Sequence, residues 1–147
     1  MLKPTTISSF RGDPLNPPNT IFSQEELGDE FALGPISVIS ELDPTGENGV
    51  VKDVLEMFGA SLDPMLTLVE GHLQNGSSYG IRFEAHKLQS AAAQMGAMKL
   101  AAACAGITRH FAAQGYRTHP EMLTALVHVL MVEAVHVQRR LARLLAH

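Results

Sequence analysis

The chain is poor in residues that carry many kinds of chemistry. Among its 147 residues there is one cysteine, Cys104, so no disulfide can form within the chain. A lone thiol accords with a reducing compartment, and a cytoplasmic protein is expected. There is no tryptophan, and aromatic residues make up 5% of the chain. With so few rings, a net charge of -4 and no basic stripe, the composition excludes the usual nucleic-acid binder. No glycine-rich phosphate loop occurs, so nothing is expected to bind ATP by a recognisable device. No run of about 18 uncharged apolar residues occurs, so no membrane span is expected. The most apolar stretch, residues 122–137, is interrupted by His128, Glu133 and His136. Residues 1–20 carry Pro4, Pro14, Pro17 and Pro18 without an apolar run, which predicts an extended arm and not a signal peptide. His128 and His136 stand eight apart on one side of a helix but lack a third ligand at metal spacing, so neither a metal nor another cofactor is expected.

What is present is helix-forming. Hydrophobic residues make up 46% of the chain, with Ala, Leu, Val and Met dominant. Ser23 and Glu26 have capping-box spacing, which predicts a short helix from Gln24 to about Leu33, broken by Gly34-Pro35. Ile36, Ile39 and Leu42 are spaced for one or two further turns, and residues 43–49 read as a loop. A long helix follows from about Gly49 to Leu73, with Val51, Leu55, Phe58, Leu62, Met65, Val69 and Leu73 on its apolar face. Pro64 should kink it near Ala60 or Ser61. A second long helix runs from about Ser78 to Gln94 on a stripe of Ile81, Ala85, Leu88, Ala92 and Met95. A third covers about Met98 to Gln114, with Leu100, Cys104, Ile107 and Phe111 inward. A fourth opens at His119-Pro120 and reaches about Leu145, on Leu123, Leu126, Leu130, Ala134, Val137, Leu141 and Leu144. Short turns between long amphipathic helices predict an all-α fold, an antiparallel up-down four-helix bundle with a short N-terminal helical or extended extension. The expected division is an extension over residues 1–35 and a bundle over 36–147.

His86 lies one residue past the apolar stripe of the second long helix, at its solvent edge. Gln89, Ser90 and Ala93, one to two turns onward, are too small or too polar to cover it. An uncovered imidazole on a rigid helix is mostly unprotonated near pH 7 and is a nitrogen nucleophile. Arg82, one turn before it, shares its face, while Lys87 lies about 100° around the helix. The small side chains of Ser90 and Ala93 would let a partner approach, and those of Ala92 and Ala93 also suit helix packing.

The run Ala85, His86, Leu88, Ser90, Ala91, Ala92, Met95, Gly96 and Ala97 resembles the signature of the histidine-containing phosphotransfer (HPt) family of two-component phosphorelays. The resemblance extends over about residues 36–147, with Phe58 and Pro64 also where the family often has them. Gln89 departs from the pattern, since that position is usually lysine in the family. The resemblance implies that His86 accepts a phosphoryl group from a receiver-domain aspartate and passes it to another receiver. It implies a phosphocarrier without kinase activity, whose partners are receiver domains of response regulators or hybrid sensor kinases. Helix geometry adds Arg82 and Lys87 to Gln89 as the surroundings of the phosphoryl group, small size puts Ser90 and Ala93 on the docking face, and the resemblance implies Mg²⁺ only in the receiver's acidic site. Two other readings stand beside it: a receiver-binding adaptor that transfers phosphate poorly, which Gln89 suggests, and a structural helical homodimer, which Val129, Val132 and Val135 suggest. A monomer is expected rather than a dimer.

Overall fold

The computed structural model describes residues 21–146. The arm expected over residues 1–20 lies outside them. Six helices follow in order and no strand occurs among the described residues: α1 (Gln24–Leu27), α2 (Leu33–Ser40), α3 (Val50–Gln74), α4 (Ser78–Met95), α5 (Met98–Gln114) and α6 (Pro120–Leu144). The last four are the long amphipathic helices read from the apolar spacing. Their stripes meet in one core, which includes Leu55, Leu62, Ile81, Leu88, Leu100, Cys104, Ile107 and Leu130, all at most 1% exposed. Two positions are shared where one was expected: Leu66 is buried and Met65 only partly, and Val127 is buried and Leu126 only partly. A stripe read at single-residue resolution leaves such neighbours ambiguous, because successive side chains are about 100° apart. α3 continues through Pro64 as one helix.

α4 packs on α3 and α5, and α6 packs on the same two helices, so α4 and α6 occupy opposite corners of the bundle. The corners are set by local chemistry. Ser77 Oγ accepts the Gly80 N–H at 3.2 Å and starts α4, and Gly96 ends it at φ 82°. Pro120 sits in the first turn of α6, where a missing N–H costs nothing. Buried Asp43 organises the loop before α3 by accepting from Asn48 N at 3.2 Å and Val50 N at 3.3 Å.

The N-terminal segment departs from expectation. The capping box is present, with Ser23 N donating to Glu26 Oε1 at 2.9 Å and Glu26 N to Ser23 Oγ at 3.1 Å. The helix it starts does not reach Leu33; it ends at Leu27, and Gly28 turns the chain at φ 66°. In a continuous helix the Ala32 N–H would bond to the Gly28 carbonyl. Here Ala32 N donates to Gly96 O at 2.8 Å, and the Gln24 amide takes Gly28 O at 2.9 Å and Phe31 O at 3.0 Å. Gln24 Oε1 in turn accepts the Leu33 N–H at 3.0 Å. Gly34-Pro35 does not break a helix either; it lies in the first turn of α2, where proline is tolerated. Leu42 falls beyond that helix and is 74% exposed. The route brings Phe22, Leu27, Phe31 and Leu33 into the core, with Phe31 edge-on to Phe58 at 6.4 Å. Arg140 of α6 clamps the segment through Glu30 at 2.8 Å and the Glu26 carbonyl at 3.2 Å.

Burial pushes the Cys104 thiol up to about 12, against a smaller lowering by a backbone hydrogen bond. A thiol raised in the folded state contributes stability below its unfolded value of about 8.5 and loses it as pH rises toward the folded value. Urea unfolding from pH 8 to pH 11 should therefore show a smaller loss of stability in Cys104→Ala than in the wild type. Parallel pH profiles would show that the thiol is not held neutral by the core.

Candidate functional site: an exposed histidine on α4

His86 projects from the middle of α4, exposed, while its helix neighbours Ala85 and Leu88 and, further on, Ala92 are at most 1% exposed. The same stripe that roots α4 in the core therefore turns this imidazole outward. Ser90 is exposed and Ala93 half-buried, packed against the edge of the core. Neither side chain is large enough to screen the ring.

The candidate cations differ in how far they are engaged. Lys87 Nζ lies 3.4 Å from Glu84 Oε1 and 5.0 Å from the centre of the Phe83 ring. Glu84 is a buried carboxylate, and the Oε1 that faces Lys87 has no hydrogen bond, so the ammonium is its compensation. Arg82 is exposed on the histidine's face and has no ion-pair partner among the described residues. Gln89 is half-buried and reaches toward α5, with the Thr108 hydroxyl 3.3 Å from its Oε1. The structure thus brings Arg82, His86, Gln89, Ser90 and Ala93 to one side of α4 and ties Lys87 back toward the N-terminal half of that helix.

Three exposed aromatic rings were not singled out by the sequence reading. Phe83 and Tyr79 precede His86 on α4 at helical spacing, are 50% and 58% exposed, and stack at 6.4 Å. Tyr116, just past α5, lies 5.9 Å from Tyr79 and 5.6 Å from Phe111. The spacing of Tyr79, Phe83 and His86 carried a signal for the first two. Tyr116 carried none, since it arrives from another helix. Together they form an exposed aromatic cluster on the N-terminal half of α4, the half that precedes His86.

The other described histidines lie off α4, and of these His128 is exposed on α6. His72 is half-buried against Gly80, and His110 is half-buried and contacts the Thr118 hydroxyl. His119 and His136 lie 3.8 Å and 3.7 Å from Glu121 and Glu133. No group of three or more His, Cys, Asp or Glu able to hold a metal occurs among the described residues. α6 is long and apolar enough by length and composition to cross a membrane, but one face of it is core of the bundle.

Comparison with known proteins agrees with this geometry. No curated protein matches the chain. Among solved structures, the histidine-containing phosphotransfer protein B (HptB) of Pseudomonas aeruginosa PAO1 superposes with a TM-score of 0.66 over 80% of this chain and 95% of that one, at 17% identity. That likeness establishes the helical-bundle fold. The Hpt domain profile matches residues 53–147, which span α4 and His86. The chain therefore belongs to the Hpt domain family, the histidine phosphotransfer domains of two-component phosphorelays.

Proposed function

We propose that this protein is a cytoplasmic phosphorelay intermediate in which His86 accepts a phosphoryl group from a receiver-domain aspartate and gives it to the aspartate of another receiver. The observation that carries the reading is the exposed imidazole at the centre of α4, left uncovered by Ser90 and Ala93, within the matched family region. In the forward step an imidazole nitrogen attacks phosphorus. The N–P bond forms as the P–O bond to the aspartate breaks, and the carboxylate leaves with the electron pair. The second transfer reverses these roles. Mg²⁺, where needed, belongs to the receiver's acidic site, and this chain supplies nucleophile, charge and docking surface. No kinase chemistry is asked of it, and it needs no cofactor of its own.

The receiver would rest on the face holding Arg82, Gln89, Ser90 and Ala93, with the aromatic cluster of Tyr79, Phe83 and Tyr116 toward the N-terminal half of α4. Small residues near the nucleophile matter because the two reacting groups must come within bonding reach. The direct test is incubation with a phosphorylated receiver domain: acid-labile, base-stable label should pass to this chain. Ser90→Arg should slow that transfer with the melting temperature unchanged, since Ser90 is exposed. Loss of the fold in that variant would place Ser90 in the core, and normal transfer would place the partner on another face.

The departure from the family at Gln89 makes a second test. With Lys87 engaged by Glu84, Arg82 is the cation free to meet about two negative charges of a phosphoryl group. An exposed charge interaction is worth up to about 1 kcal/mol, so Arg82→Ala should slow transfer several-fold at most. Gln89→Lys should speed phosphorylation or lengthen the life of the phosphohistidine by a similar factor. Unaltered kinetics in both would show that neither position meets the phosphoryl charge. A receiver-binding adaptor with weak transfer is the second reading, favoured by Gln89 lying against Thr108. It would bind a receiver stoichiometrically and take up label only poorly.

A further inference from the structure

α6 carries two apolar faces, and the bundle uses one. Leu123, Val127, Leu130, Ala134, Val137, Leu141 and Leu144 are buried against α3 and α5. On the opposite face Met122 and Val129 are 49% and 51% exposed, Val132 and Val135 are each 37% exposed, and Ala125 is exposed. Valine on a solvated helix face needs a reason, because it is a poorer helix former than Ala, Lys or Glu and gains no packing there to compensate. Met122, Ala125, Val129 and Val132 follow the three-then-four spacing of a helix-pairing seam, and His136, Arg139 and Arg143 continue it.

We propose that this face of α6 pairs in antiparallel fashion with the same face of a second copy of the chain. Charge selects that occupant. The seam begins beside exposed Glu121 and ends at exposed Arg139 and Arg143. Arg140, between those two, is already paired with Glu30 at 2.8 Å. A two-fold pairing centred near Val132 sets Glu121 of each copy beside the arginine end of the other, twice over, with the helix dipoles opposed. A parallel pairing would stack arginine on arginine. α6 lies at the corner opposite α4, so both copies of His86 stay accessible. The monomer expected from the sequence is set aside by this reading.

Sedimentation equilibrium of the full chain over a range of concentrations tests it. The expected result is reversible self-association to twice the 15.9 kDa chain mass. Val129→Glu combined with Val132→Glu should raise the dissociation constant by more than about a hundredfold. Arg139→Glu with Arg143→Glu should weaken the dimer, and adding Glu121→Arg to that pair should restore it. None of these charge positions is buried, so the swap remains informative if the valine variants fail to fold. A 15.9 kDa species at every concentration overturns the proposal, as does a dimer indifferent to both sets of changes. A chain that stays monomeric but co-sediments with phosphatidylglycerol vesicles also overturns it and gives the face to lipid. His86→Gln should dimerise as the wild type does, so this result stands or falls apart from phosphotransfer.

Discussion

His86→Gln is expected to reduce labelling by a phosphorylated receiver domain to background, a loss of more than about a hundredfold, because an amide side chain cannot form the covalent phosphohistidine intermediate. The fold should be untouched. His86 is exposed and contributes nothing to the stripe that holds α4, and exposed substitutions of this kind usually lie within about 0.5 kcal/mol. Circular dichroism and the melting temperature should therefore match the wild type while transfer vanishes. The glutamine side chain keeps polarity and approximate size, so a receiver should still dock, and complex formation measured by titration should persist. That separation of binding from chemistry is the signature of a lost nucleophile. Label that survives the substitution would move the site elsewhere, with His128 and His136, exposed on α6, the next residues to replace. Label that disappears together with the helical signal would mean that the residue is structural.

Gly96→Ala, a change of one methyl group at a buried turn, should be strongly destabilising. Gly96 ends α4 at φ 82°, where an alanine costs about 1–2 kcal/mol. An added Cβ would also lie 2.8 Å from the Ala32 carbonyl oxygen, 3.2 Å from Ala32 N and 3.3 Å from Pro35 Cβ. The first two are backbone atoms that cannot swing aside. They belong to the segment whose Ala32 N–H donates to Gly96 O at 2.8 Å, so relief of the clash would stretch that bond and lift α2 from the bundle. Adding about 1 kcal/mol for the weakened bond gives a destabilisation of roughly 2–3 kcal/mol. For a chain of this size that lowers the melting temperature by about 10 °C. Gly71→Ala is the matched control. Gly71 is inside α3 with nothing within 4 Å of its would-be Cβ, so alanine there should stabilise by about 0.5–1 kcal/mol. Equal effects at the two sites would remove the argument that α2 is docked through Gly96.

Most of the bundle was legible in the chain because its signals are local. Ile81, Ala85, Leu88, Ala92 and Met95 recur at the helical period, and a helix that buries such a stripe has no freedom over where His86 points. The boundaries at Ser78, Gly96, Gly115 and Pro120 follow from residues that cap or begin helices whatever their surroundings. The path from Gln24 to Ser40 was misread for the opposite reason. A continuous helix satisfied every local rule until Gly28, and what ended it was Ala32 bonding to Gly96, sixty-four positions away in sequence. The same holds at the site. The sequence placed Arg82, Lys87 and Gln89 near the histidine by counting turns. Only the packed structure decided that Lys87 answers buried Glu84, that Gln89 meets Thr108 of α5, and that Tyr116 joins Tyr79 and Phe83. Periodicity fixes which side of a helix a residue occupies. Which partner waits on that side depends on neighbouring helices, and their registry is a property of the assembled core.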